Sequence, residues 1–390
     1  MKPIPGLRLA LPVAFMIMVA GCGGGTKTAG DAGGAYAWGI DAELSGQLSF
    51  YGQGIVDGVT AYVDGVNASG GINGHKIELT SLDDAGEQSR AAANATQLAT
   101  VNKVSAIFGH TLSTNCSAAQ PIIERYKTPM ACLSVAAASP YIFSLGPDNS
   151  RAGKAMFAAA KKVTSKSNVR AGLIYPTTQT GTALGKAIES GAASNGFELT
   201  SSQAISLTAT DLSTQISRLV AGKPDVVFIS HTGPGLLNVL KGARAGGLDA
   251  PFVWVDGTGN MSSLATSTDA GVYALNIYEA INPATATDAA KEYVTAVTPK
   301  LKNGVTVTSV NGGPGVEAYL TARAFGTAMK ACGYPCPGDK LRGELEKVQL
   351  SLPGLVASFR YTADDHYPYP NWYLYHVVGA ELTLVDTIPA

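Results

Sequence analysis

The chain has 390 residues, only 15% of them charged, and its 28 basic and 29 acidic side chains leave a net charge of −1. Near-neutrality, with no basic stripe and no interleaving of aromatic and basic residues, excludes nucleic acid or an anionic membrane surface as the main partner. A small solute or another protein remains.

The elements begin with a leader. Lys2 and Arg8 precede an apolar stretch that starts at Leu9 and closes on Val19-Ala20-Gly21-Cys22. A charged head, a short apolar core and small residues before a cysteine suit a translocon and a lipid-transferring signal peptidase, and the run is too short to span a bilayer. The sequence therefore predicts a lipoprotein signal peptide over 1–21, a lipidated Cys22 and a flexible Gly/Thr/Ala tether over 22–34. The protein is expected outside the cytoplasmic membrane, held there by its lipid anchor alone. The remaining length of roughly 370 residues exceeds what one hydrophobic core usually serves, so two lobes are expected.

Tyr36 to Ile40 reads as a strand, and Gly52 to Val66 as a helix with Ile55, Val59, Tyr62 and Val66 at helical spacing. A glycine-rich turn, Gly70 to Gly74, leads into a strand over Lys76 to Ser81. There follow a helix (Gln88 to Val101), a strand (Val104 to Phe108), a helix (Asn115 to Tyr126) and a strand from Met130 to Ser134. The second block repeats the theme: strands over Ala171 to Tyr175, Asp225 to Ile229 and Phe252 to Val255, with helices over Thr182 to Asn195, Thr214 to Ala221 and Leu236 to Ala245. Alternation at this spacing implies parallel sheets covered on both faces, hence an α/β protein of two doubly wound lobes. After Val272 to Tyr278 come helices over Ala289 to Leu301, Val316 to Cys332 and Asp339 to Lys347. The tail from Val356 to Leu384, rich in aromatic and β-branched residues with turns at Asp364-Asp365 and Gly379-Ala380, reads as antiparallel strands added to one lobe. Its cluster Tyr367, Tyr369, Trp372, Tyr373 and Tyr375 suits packing onto a sheet. No long linker separates the blocks, so the chain crosses between lobes through short hinge strands; one lobe is expected over 35–153 and 280–353, the other over 154–279 and 354–390.

Beyond Cys22 four cysteines remain, Cys116, Cys132, Cys332 and Cys336. An even count in an exported protein favours disulfides, and sequence proximity favours Cys116 with Cys132 and Cys332 with Cys336 among the three pairings. No histidine sits at ligand spacing from a cysteine, so no metal is expected. There is no nucleophile elbow, Walker loop, paired-histidine motif or CxxC, so nothing supports catalysis or a cofactor.

Leu44-Ser45-Gly46, Tyr51-Gly52, the run Asn67 to Gly74, Asp83-Asp84, the run Gly109 to Ser113, Pro129 to Ser134, Gly242 to Leu248 and Ala318-Tyr319 occur in an order and spacing that cover nearly the whole mature chain. In this it resembles the type I solute-binding proteins of ABC transporters, the branched-chain amino-acid-binding group above all. The resemblance implies two Rossmann-like lobes joined by a three-strand hinge, with solute sealed in the cleft by closure. It also implies a monomer with two partners, a small solute and an ABC permease.

Ser113, in the loop between a strand and a helix, is placed to meet a carboxylate at the helix N-terminus with Thr114 beside it. On the bland alternative either residue is an N-cap. The family's cleft tyrosine corresponds to Tyr51, and its loop gripping the α-carboxylate and ammonium corresponds to Ser134 to Pro140. There Ala136 keeps backbone contacts, while Ala138 stands where the family has a threonine. In the second lobe Asp256 matches a glutamate that accepts from the ligand ammonium. Thr180 and Thr232 replace tyrosines that close over the solute, which implies a wider, more polar pocket. His110 and His231 read as structural residues. The expected ligand is an amino acid or related small amine-carboxylate. Two alternatives stay open: an aromatic or aliphatic carboxylate or an amide lacking an amine, and a sensing module that reports to a signalling partner.

Overall fold

The computed structural model describes residues 33–46, 49–132, 139–146, 148–207, 209–231, 233–255, 264, 267–281, 286–301, 314–379 and 381–390. The leader and Cys22 lie outside them.

Five strands, β1 (Tyr36–Ala42), β2 (Ile77–Asp83), β3 (Ala106–Gly109), β4 (Met130–Cys132) and β5 (Ile142–Ser144), make an all-parallel sheet in the order β2-β1-β3-β4-β5. Its helices are α1 (Ser49–Ala68), α2 (Gln88–Thr100) and α3 (Ser113–Tyr126). Trp38, Ile40 and Ala42 enter a core with Ile55 and Val59 of α1. On the other face Ile107 packs with Leu98 of α2 and Ile123 of α3. With both faces covered, the central strands β3 and β4 need no polar side, and so they read as apolar runs.

The second sheet follows α4 (Asn149–Thr164). It runs β6 (Val169–Pro176), α5 (Gln179–Gly191), β7 (Phe197–Ile205), α6 (Ser213–Ala221), β8 (Val226–Ser230), α7 (Gly233–Ala245), β9 (Phe252–Val255) and β10 (Val272–Asn276). The chain then returns to the first lobe. There α8 (Asp288–Val297) and α9 (Pro314–Cys332) pack on α1, and α10 (Gly338–Leu345) packs on α9. The hairpin β11 (Gln349–Leu352) and β12 (Val356–Arg360) precedes a last passage to the second sheet, where β13 (Asn371–Val378) and β14 (Glu381–Pro389) add antiparallel to β10. The final order is β14-β13-β10-β9-β8-β6-β7.

Helices α1 and α9 approach closely because glycine lines the seam. A Cβ on Gly58 would lie 2.2 Å from the Gly315 carbonyl oxygen, and one on Gly326 would lie 1.9 Å from the Tyr62 hydroxyl. At Gly58 the obstacle is backbone and no side chain fits; at Gly326 the Tyr62 ring would have to move.

The chain crosses between the sheets three times: between β5 and α4, between β10 and α8, and between β12 and β13. The first and third are bonded to one another, and the second to the turn between β11 and β12. Ser144 N–H donates to the His366 carbonyl at 2.9 Å, and Glu279 N–H to that of Leu355 at 2.7 Å. The hydroxyls of Tyr361 and Tyr369 donate to the carbonyls of Ser144 at 2.9 Å and Leu145 at 3.0 Å. The His366 ring stacks on Phe143, 4.1 Å between centroids. Tyr367, Tyr369, Trp372, Tyr373 and Tyr375 are all buried, so the tail aromatics pack rather than face solvent.

Besides the short strand β11, three elements go beyond the sequence reading. In β7 only Phe197, Ser201 and Ile205 are buried, because it is the edge strand of its sheet, and its polar residues hide the pattern. The three residues of β5 are too few to show a period. Helix α4, capped by Asp148, whose carboxylate accepts from the Arg151 N–H, buries mainly small alanines.

Cys116 is joined to Cys132 and Cys332 to Cys336, with Cα separations of 6.3 and 5.7 Å that a disulfide spans. The first ties the opening turn of α3 to the end of β4. Thiol titration of unfolded, unreduced protein is expected to find none of these four groups free; four titratable thiols would refute the pairing. Replacing Cys116 and Cys132 by serine should cost on the order of 3 kcal/mol in a denaturant melt, from the entropy of closing a loop of this length.

Candidate functional site: the cleft between the lobes

In open α/β sheets ligands bind beyond the carboxyl ends of the strands, where loops lead into helix N-termini. Here β3 leads into α3 and β6 into α5. The two helices meet across the cleft. Ser113 Oγ donates to Gln179 Oε1 at 3.0 Å, a bond between the lobes. Ser113 is buried, at 7% exposure, although it belongs to a first helical turn. It does not cap its helix: Leu112 holds the cap position of α3 without a side-chain bond, whereas Thr178 caps α5, its hydroxyl accepting from the Gly181 N–H at 3.1 Å. The Ser113 hydroxyl thus points at the other lobe, beside backbone N–H groups whose dipole favours an anion.

Of the other residues singled out by sequence, Thr114 is half-buried beside Ser113, its hydroxyl 3.4 Å from Asn115 Oδ1, and Thr180 is half-buried next to Gln179. The fold thus brings Ser113, Thr114 and Thr180 to the line where α3 faces α5. Tyr51, half-buried in the first turn of α1, packs edge-to-face on Phe50 at 5.6 Å. Ala136, Ala138, Thr232 and Asp256 lie outside the described residues. His231 is buried against Gly235, where a Cβ would come 1.8 Å from its Nδ1, and its carbonyl accepts from Trp254 Nε1 at 2.9 Å. Sequence reasoning missed Gln179. The available signal was a long amide in the turn Pro176-Thr177-Thr178-Gln179, immediately after a strand.

Beneath the loop that carries Ser113 lies a buried polar cluster. Asp41 and Glu43 stand at the end of β1, Asp84 just after β2 and His110 just after β3, and none of the four has measurable exposure. His110 adopts φ +48°, a left-handed turn that bends the chain from strand towards helix. Its Nδ1 is 2.8 Å from Asp84 Oδ2, which also accepts from Asn115 Nδ2 at 3.0 Å; the Gly86 N–H donates to Oδ1 at 2.8 Å. Burial works against the Asp84 carboxylate, yet hydrogen bonds from His110, Gly86 and Asn115 hold it below the usual range. Burial likewise disfavours the His110 imidazolium, but Asp84 and Asp41 outweigh this and raise its pKa. Asp41 has fewer partners, and burial pushes its carboxyl up to about 7. Glu43 is raised for the same reason.

A sequence model of the periplasmic binding proteins matches residues 39–381. The chain belongs to the periplasmic binding protein family. Among curated relatives, the Leu/Ile/Val-binding protein of Escherichia coli K12 is 27% identical over 226 residues, 56% of this chain and 60% of that protein. The chain thus spans about three fifths of the length of the curated relatives it matches. Solved structures carry the fold further. A solute-binding protein of an R. palustris ABC transporter, in complex with 4-hydroxybenzoate, superposes with a TM-score of 0.76 at 19% identity over 91% of this chain and 97% of its own. The branched-chain amino acid transporter substrate-binding protein LivJ of Streptococcus pneumoniae, in complex with isoleucine, gives 0.71 at 20% identity over 91% and 99%. A periplasmic binding protein of type I has two α/β lobes around a cleft, which is the architecture found here, and these relatives are binding proteins rather than enzymes. Among the described residues no helix is long and apolar enough to cross a membrane.

If the Ser113–Gln179 bond holds the lobes of this periplasmic binding protein together, Ser113→Ala and Gln179→Ala should each melt within about 1 kcal/mol of the parent. Small-angle scattering of ligand-free protein should read more open molecules in either variant, and no further opening in the double variant. Unchanged scattering would remove the pair from the closing mechanism.

Proposed function

We propose that the protein is the exported, lipid-anchored solute receptor of an ABC importer, and that it binds a small carboxylate bearing an amine between its lobes. The observation that carries this reading is Ser113: a buried hydroxyl at an uncapped helix N-terminus, aimed across the cleft at the first turn of α5. The isoleucine of the Streptococcus pneumoniae protein and the 4-hydroxybenzoate of the R. palustris protein share a carboxylate and little else, which supports an anion-binding role for this end of the cleft. Solute bridges Tyr51, Ser113, Thr114 and the backbone about Ala136 and Ala138 in one lobe to Thr180, Thr232 and Asp256 in the other. Binding shifts the population towards the closed form that a permease recognises. The lobes comprise 35–153 with 280–353 and 154–279 with 354–390, acting as a monomer. The chemistry is binding without turnover.

The amine is the part that separates this reading from a receptor for aromatic acids, which the benzoate-bound neighbours favour. Thermal-shift screening against amino acids, amides and aromatic acids identifies a ligand by the stabilisation it gives the native state. In calorimetry with matched pairs of amino acid and deaminated acid, Asp256→Ala should weaken the amino acid by about 2 to 4 kcal/mol, because its buried ammonium loses its partner. The deaminated acid should bind the variant unchanged or more tightly. A parent protein that prefers the deaminated acid defeats the amino-acid assignment and leaves the carboxylate role of Ser113 standing.

Anchoring has its own test. Cys22→Ser should release protein that fractionates away from membranes, and wild-type protein found as an uncleaved precursor would contradict the lipoprotein reading.

A further inference from the structure

We propose that Asp41 and His110, with Asp84 behind them, form a divalent-metal site under the cleft loop, and that zinc is the ion this donor set fits best. The site is separate from the solute contacts above and does not depend on the identity of the solute.

The argument starts from which atoms are satisfied. One ligand atom from each of Asp41, Asp84 and His110 lies within 4.8 Å of the other two, and all three residues are fully buried. Asp84 is complete: both oxygens accept hydrogen bonds, from Gly86, Asn115 and His110. With Nδ1 donating to Asp84, the His110 ring presents Nε2 on the opposite side, a lone pair once an ion displaces its proton. There it faces Asp41 Oδ2 at 3.7 Å. Asp41 Oδ1 accepts from Asn94 Nδ2 at 2.8 Å, whereas Oδ2 and the histidine Nε2 have no hydrogen-bond partner. Such a gap is too long for a hydrogen bond. It is the right width for an ion: zinc about 2.0 to 2.2 Å from each atom subtends an angle of roughly 120°, near tetrahedral.

Two further features fit. A histidine whose other nitrogen is fixed by a carboxylate is the usual outer shell of a zinc ligand, which sets the tautomer and strengthens the donor. The cluster gathers the carboxyl groups of Asp41, Asp84 and Glu43 around one imidazole away from solvent, where a bound cation favours their ionised forms. Glu43 follows the end of β1, two residues from Asp41. Thr111 N–H lies 3.4 Å from its Oε2, and a side-chain rotation would bring this carboxylate to the ion as a third ligand. The sequence reading looked for histidines at short spacing from cysteines. These ligands come instead from the ends of separate strands.

The test uses the untagged full-length protein, stripped with chelator and titrated with zinc. Elemental analysis before stripping should find about one zinc per chain; calorimetry should find one site; and the melting temperature should rise with free zinc as expected for a ligand of the native state. Asp41→Asn, which keeps the shape, should weaken zinc at least about tenfold, on the scale seen even for second-shell losses. Should that variant fail to fold, cobalt(II) added to stripped wild-type protein still decides the matter: visible d–d bands of a tetrahedral nitrogen-oxygen site support the proposal. Their absence overturns it. It is equally overturned if stripped protein neither binds zinc nor gains stability at millimolar zinc, the cluster then being closed by protons alone, or if zinc binds unchanged in both Asp41→Asn and His110→Gln, the ion then sitting elsewhere.

Discussion

The structure depends on three stretches of backbone that cross between the sheets and find hydrogen-bond partners there. Chain leaving a sheet loses its ladder partners, and buried N–H and C=O groups without partners are costly. Here the first and third crossings bond each other, the second bonds the β11–β12 turn, and the hydroxyls of Tyr361 and Tyr369 donate to the Ser144 and Leu145 carbonyls. One crossing alone would allow the lobes to twist in any direction. Three restrict the twist, and a bend that opens or shuts the cleft, as the proposed function requires, is what they leave.

That constraint gives the cleft its meaning. With the lobes held on a common axis, the N-terminal turns of α3 and α5 are brought into register, and a single pair of side chains, Ser113 and Gln179, reports on their approach. Neither side chain acts as a helix cap. Both are aimed outwards from their own lobe. A helix start with its hydroxyl aimed elsewhere is a poor way to finish a helix and a good way to receive an anion.

Most of the fold was legible because the physics that writes it is local. Central strands buried on both faces are apolar runs, Tyr36 to Ala42 and Phe252 to Val255 among them, and helices such as Gln88 to Thr100 repeat at their own period. The edge strand Phe197 to Ile205 was not, because one strand neighbour and much solvent leave it free to carry polar residues. The site was legible in part. Ser113 announces itself by standing between a strand and a helix, and family resemblance pointed to the same residue. Gln179 matters only through a partner 66 residues away in the other lobe, and no local pattern encodes that pairing. The cluster of Asp41, Glu43, Asp84 and His110 was hidden for the same reason, since a parallel sheet gathers strand ends that the sequence keeps far apart.

The seam of glycines between α1 and α9 bears on how the molecule moves. Where the Gly58 backbone meets the Gly315 carbonyl with no room for a methyl group, α1 and α9 cannot slide past one another without collision, so this helix pair resists shear, the small gliding of helices by which some domains reshape their surfaces. The two helices travel together, and a disturbance on one is handed to the other as a push rather than absorbed as a slip.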